Sequence, residues 1–295
     1  MSNIVTTDFV IDKIAAPNLP MAPREWDQRY QDQFNNVLRL YFNRLDDFIA
    51  RLNASPAAKS DGSLLLFPNG AFHQDGVTTL TTGFNNSSTA DIVVASTAQF
   101  SSAGTILIGS ELIGYTGKTS TTFTGVTRNV YGTTSAAHTA GVYVSEAQGV
   151  ASSSTALAVP MDTTDVSNGV SYESANPSRI LFATAGYYNI QFSCQLLNFT
   201  TSEDNVTFWF RQNGADVAYS AGISEVAPKH GSGPGASIIS WNIVLPVQAN
   251  DYIELLYAST TGNTVLATYP PGTAPVHPTS PSVILTATFV SALYA

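Results

Sequence analysis

Two kinds of hydrophobic periodicity divide this chain. Early on, Phe34, Leu38, Tyr41, Leu45, Phe48 and Leu52 recur at alternating steps of four and three. That spacing predicts an amphipathic helix with a heptad seam over residues 24–56. Leu38, Leu45 and Leu52 take one seam position, and Phe34, Tyr41 and Phe48 the other, while Val37, Phe42 and Ile49 widen the stripe. A stripe this wide must pack on another part of the chain or on copies of itself. The second option is favoured, because the helix precedes everything else that folds.

After Ala54 the period becomes two, the signature of strands with one buried face. Residues 57–88 read as a loop-rich connector, with turns at Pro68-Asn69-Gly70 and Asp75-Gly76. Residues 89–147 read as a small all-β module. Its strands are Ile92–Val94, Thr105–Ile108, Glu111–Tyr115 and Gly141–Val144, with a glycine-first hairpin turn at Gly109-Ser110. The small-residue run at 148–156 reads as a linker.

Residues 157–295 read as a β-sandwich. Tyr188, Ile190, Phe192, Cys194 and Leu196 alternate with polar residues, as do Val206, Phe208 and Phe210. Four further positions, Trp209, Val244, Leu256 and Ile284, put apolar groups on the other face. A strand apolar on both faces is covered on both sides, and a neighbouring subunit is the simplest cover in a sandwich. Trp209 and Leu256 therefore join the helix seam as predicted self-association residues.

Before the helix, Pro17, Pro20 and Pro23 impose an extended course on residues 1–23. This stretch is either a flexible tail or an arm that orders on a partner. Phe9, Ile11, Ile14 and Leu19 are the predicted anchor residues of such an arm.

Composition narrows the function classes. Charged residues are 11% of the 295, with 12 basic against 21 acidic and a net charge of −9, whereas about a quarter is usual. Residues 1–60 are neutral, so the β part carries the whole −9. Such a balance argues against nucleic-acid binding. No apolar run reaches the ~20 residues of a membrane span, so no membrane insertion is expected, and no secretory signal is visible at the N-terminus. One cysteine, Cys194, excludes an intrachain disulfide.

The residues offer little for chemistry. His73, His138, His230 and His277 have no second ligand at metal spacing. No nucleophile elbow occurs, and no acidic pair is placed across a cleft as glycan cleavage needs. Calcium held by Asp162 and Asp165 has no loop motif behind it. No catalytic residue, metal or cofactor is assigned, and the chain is read as a non-enzyme.

Several segments carry resemblances. ILFATAGYYNIQFS (180–193), FWFRQNGADV (208–217) and VQANDYIEL (247–255) resemble strands of the complement/tumour-necrosis-factor-like jelly roll, with Asn250 where glycine is common. PTSPSVILTATFV (278–290) is similar to the last strand of versions found in tailed-bacteriophage virion proteins. FSSAGTILIGSELIGY (100–115), TGVTRNVYG (124–132) and HTAGV (138–142) resemble a β-module of phage structural proteins, with Asn129 at a usual glycine.

These resemblances imply a homotrimeric jelly-roll knob on a virion assembled in the host cytoplasm. The expected role is a tail-fibre-like, spike-like or head-fibre appendage. Residues 1–53 would meet other virion proteins, and the knob would meet a host surface glycan or protein. Tyr219, His230 and Tyr269 are the candidate receptor-contact residues. The alternative is a capsid decoration or cement protein with a mechanical role.

Overall fold

The computed structural model describes residues 19, 25–53, 67–150, 153, 155–273 and 275–293, with helix side chains through residue 47. The chain is mainly β, with one N-terminal helix, α1 (Gln28–Asn53). Asp27 caps that helix: its side chain accepts the Arg29 N–H at 2.8 Å and its carbonyl accepts the Gln31 N–H at 3.1 Å.

Fifteen strands carry the rest of the argument: β1 (Asn69–Gln74), β2 (Val77–Thr79), β3 (Gly104–Ile108), β4 (Glu111–Tyr115), β5 (Tyr143–Gly149), β6 (Thr163–Asn168), β7 (Val170–Glu173), β8 (Asn176–Phe182), β9 (Gly186–Asn198), β10 (Asp204–Gln212), β11 (Gly222–Val226), β12 (Gly235–Val247), β13 (Tyr252–Ser259), β14 (Thr264–Ala267) and β15 (Val283–Ser291). Two antiparallel sheets face each other as a jelly-roll sandwich. One runs β6-β1-β15-β9, with β12 along the other edge of β9. The other runs β7-β8-β13-β10, with β11 on β10.

The core between the sheets is where strict alternation placed it. Tyr188, Ile190, Phe192, Cys194 and Leu196 of β9 meet Val206, Phe208 and Phe210 of β10, Leu255 and Tyr257 of β13, and Val283, Leu285 and Ala287 of β15. Phe192 is the aromatic hub. Its ring lies 4.5 Å from Trp241 and 5.5 Å from Phe208, an aromatic cluster that adds to plain area burial.

The first sheet does not stop at the sandwich. From β9 it continues through β14 to β5, β3 and β4. The small module is therefore hydrogen-bonded into the sandwich sheet. Ile106, Ile108, Ile113 and Tyr115 point into the module's own core with Phe100, Phe123 and Val144. Leu107 and Leu112, on the opposite face of the same strands, enter a seam core with Leu197, Phe199, Val265 and Ala267. Gly109 takes φ 61° at the predicted hairpin turn. Asn129 and Asn250 take φ 63° and 69°, which asparagine tolerates better than most residues.

Three sequence expectations need correction. Pro68-Asn69-Gly70 is not a turn: Asn69 and Gly70 begin β1, which lies between β6 and β15 and puts Phe72 into the sandwich core. The connector thus supplies a sandwich strand. The last module strand runs over Tyr143–Gly149 rather than 141–144 and enters the segment read as a linker, where Val150 is buried in the sandwich core. Leu256 is 1% exposed within the single chain. It faces Trp209 on β10 and Ala158 on the other side, so no neighbouring subunit is needed to cover it.

Candidate binding surfaces

The helix seam is an apolar stripe that joins none of the hydrophobic cores among the described residues. Phe34, Leu38, Tyr41 and Leu45 are half-buried, with Val37 beside them. The Tyr30 and Phe34 rings stack at 6.1 Å. Among the described residues, none from α1 belongs to any of the three cores. Phe42 and Leu40 are exposed, as is Trp26 just ahead of the helix. Phe48 and Leu52 lie on the same helix, but their side chains fall outside the described residues. Of the predicted anchor residues, Phe9, Ile11 and Ile14 also lie outside them, and Leu19 is 47% exposed.

The outer faces of the two sandwich sheets differ sharply in charge. On the β7-β8-β13-β10 sheet, Arg179 pairs with Glu173 at 3.4 Å and lies 4.4 Å over the Tyr252 ring, and Ser178 donates to Glu254 at 2.7 Å. Trp209 is half-buried on this sheet, and its indole N–H donates to Asp216 at 2.9 Å. Arg211 reaches the same carboxylate at 2.8 Å, and these two bonds hold the Asp216 carboxyl below its ordinary value.

The opposite sheet presents uncharged rows. Asn69, Thr288, Asn189 and Val244 lie in one register, and Val166, Ala71, Thr286, Gln191 and Asn242 in the next. Val244 and Ile284, both expected on a subunit face, are exposed here together with Val166 and Ile238. The ionisable pair at its margin is His73 with Asp165, at 2.8 Å.

The predicted receptor-contact residues do not form one site. Tyr219 is fully exposed in a loop just before β11, with φ 63°. His230 is exposed just after β11, in a turn closed by reciprocal backbone bonds with Gly233. The two flank opposite ends of that strand. Tyr269 lies on the other sheet, half-buried after β14, where burial pushes its phenol pKa up.

Tyr269 does line a pocket of about 360 Å³ with Gln195, His277, Pro278, Thr279 and Ser280. Sequence reasoning named Tyr269 there and missed the others, because Gln195 is far away in the chain. His277 stood out only as a histidine among prolines.

The remaining histidines serve structure. His138 Nε2 donates to the Glu111 carboxylate at 2.8 Å inside the module. Glu111 is fully buried and also takes two bonds from the Arg128 guanidinium and the Ala136 N–H at 3.0 Å. Burial pushes its carboxyl up, but the bonds from Arg128, Ala136 and His138 outweigh burial and leave it below the usual range. Arg128 further donates to the Ser88 and Ala136 carbonyls and lies 4.9 Å over Phe84. This clasp ties four stretches of the module together, and every strong donor in it is used.

A second acidic group lies where β1 and β2 meet β5 and β6. Glu146 is buried. Its Oε1 accepts from Ser101 N and Oγ, while its Oε2 has no hydrogen-bond partner among the described residues. Burial, reinforced by the charge of Asp162, pushes its pKa up to about 7. Burial also raises Asp162, to about 6, with Asp75 adding to the rise.

No three His, Cys, Asp or Glu side chains among the described residues are grouped to hold a metal ion. The Cys194 thiol is buried, which pushes its pKa well up. No helix among the described residues is long and apolar enough to cross a membrane.

No protein-family model matches this chain, and no curated protein matches it.

Proposed function

We propose that this chain is a non-enzymatic structural appendage of a tailed-bacteriophage virion, of tail-fibre, spike or head-fibre type. It is anchored by its N-terminal residues and presents a homotrimeric jelly-roll knob for host-surface attachment. The observation that carries this reading is the helix: a heptad seam that, among the described residues, contributes to none of the chain's cores. An isolated amphipathic helix gains most of its stability from packing its apolar face, and a heptad seam packs best on copies of itself.

Two further copies of α1 cover the stripe, and the neutral outer sheet face, with Val244 and Ile284, follows into the subunit contact. Three equivalent heads then sit above one stem. Weak contacts at each head add up through multivalency. The strand and module resemblances to virion proteins supply the particle context.

Two measurements test the attachment role. Antibody labelling of particles that carry the chain should place it on a projecting appendage. The purified full chain should adsorb to host cells and compete with particles for adsorption. A chain that coats the head shell and neither adsorbs nor competes would overturn attachment in favour of capsid decoration.

A further inference from the structure

The pocket beside Tyr269 has walls that are fixed before any ligand arrives. Tyr269 and Ser280 exchange two backbone hydrogen bonds, each of 2.9 Å. Gln195 donates its backbone N–H to the Ser282 carbonyl at 2.8 Å, and its side-chain amide donates to Ser280 Oγ. That bond leaves the Gln195 amide oxygen as an acceptor. His277 Nδ1 lies 2.8 Å from the Pro278 carbonyl, which can only accept, so Nδ1 carries the proton. Its ring is seated over Gly272, where a Cβ would stand 2.2 Å from Nε2.

The chemistry of the lining is selective. It contains no Lys, Arg, Asp or Glu. It offers the Tyr269 phenol and His277 imidazole rings, one proline ring, an amide oxygen and the hydroxyls of Tyr269 and Thr279, for which no protein partner occurs among the described residues. A volume of about 360 Å³ falls at the small end of ligand pockets, which run to roughly 300–1,000 Å³.

From these features we propose that the pocket binds a neutral saccharide unit, a hexose or N-acetylhexosamine. The C–H face of the sugar lies against the Tyr269 and Pro278 rings. Its hydroxyls pair with the Gln195 amide oxygen and the Tyr269 and Thr279 hydroxyls. An anionic sugar finds no lysine or arginine in the lining, and a phosphate finds none either. This inference rests on the attachment reading and names the class of surface ligand for it. A single site of this size and polarity binds weakly, with a Kd on the order of 1 mM, and an oligomeric head multiplies it.

The test uses the full chain and purified sugars: glucose, galactose, N-acetylglucosamine and N-acetylgalactosamine, with N-acetylneuraminic acid as the charged control. Saturation-transfer NMR and calorimetry read the binding. At least one neutral sugar should bind and the charged control should not. Thr279→Arg, which puts a bulky side chain into the lining, should weaken binding at least tenfold. Tyr269→Phe, which keeps the ring, should weaken it several-fold with an unchanged melting temperature.

Failure of every neutral sugar to bind, preference for the anionic control, or binding indifferent to both variants each overturns the proposal. Cell adsorption separates this failure from that of the attachment reading. A chain that adsorbs equally well with Thr279→Arg keeps attachment and loses the pocket. A chain that binds a sugar through the pocket yet adsorbs to no cell keeps the pocket and loses attachment.

Discussion

Glu146 gives the sharpest quantitative prediction. Its side chain is buried at the junction between the β1–β2 turn and β5, and one carboxylate oxygen has no partner among the described residues. Burial first, and the Asp162 charge second, raise its pKa from 4.5 to about 7. Between those values the folded protein binds more protons than the unfolded chain, so stability falls as pH rises. The favourable contribution is fully present below about pH 4.5 and is lost as pH climbs through about 7. At 1.36 kcal/mol per tenfold, the separation is worth about 3 kcal/mol. Asp162, also raised, acts in the same direction, and the two titrate as a pair.

Glu146→Gln removes the ionisation while keeping the shape. At pH 8 the variant should be more stable than the natural chain by about 3 kcal/mol, roughly 6–10 °C in Tm. At pH 5 the two should nearly coincide. Thermal and urea denaturation across pH 5–8.5 reads this directly. A natural chain with flat stability over that range, or a variant with the same slope, would refute the reasoning.

Other outcomes follow from the same structure. Arg128→Ala leaves the Glu111 carboxylate buried without its main partner and should cost about 3–5 kcal/mol, seen as a lower Tm and faster proteolysis within residues 80–142. Glu111 and Asp204 are both held below the ordinary carboxylate range despite burial, by Arg128 and by the Ser259, Thr264, Thr261 and Thr260 donors respectively. Their contribution is present above the ordinary carboxyl pKa and should be lost as pH falls below about 4, so acid melts should show a second decline. Phe72→Ala should cost about 3–5 kcal/mol, like a core position and unlike a residue in a connector, in chemical denaturation. Leu38→Asp with Leu45→Asp should dissociate the oligomer in sedimentation while leaving the β head's near-ultraviolet dichroism unchanged.

Strands with a strict period of two were legible, because the central inward residues of β9, β10, β13 and β15 are mostly apolar and alternate with mostly polar outward ones. β1 was not. Its sequence NGAFHQ has a single large apolar residue, and its strand conformation comes from lying between β6 and β15. Leu256 signalled double burial correctly, but its second cover comes from a distant part of the same chain, whereas Val244 and Ile284, marked in the same way, are exposed. Periodicity reports that a face is buried and is silent about what buries it.

The pocket illustrates the same limit. Tyr269 was marked by type and loop context. Gln195 joins it because β9 runs beside residues 280–283, which bond Tyr269 in turn, and that pairing leaves no local trace. The Glu111, Arg128 and His138 clasp had a signal in the spacing of its motif segments, although the chemistry of the contact appears only in three dimensions.

The central claim is that α1 joins copies of this chain, and the mass of the full chain in solution tests it most directly. Light scattering after size exclusion should give three times the 31.3 kDa chain mass, and a chain lacking residues 1–56 should lose that mass or hold it far less tightly. A full chain that runs at 31.3 kDa would contradict the account.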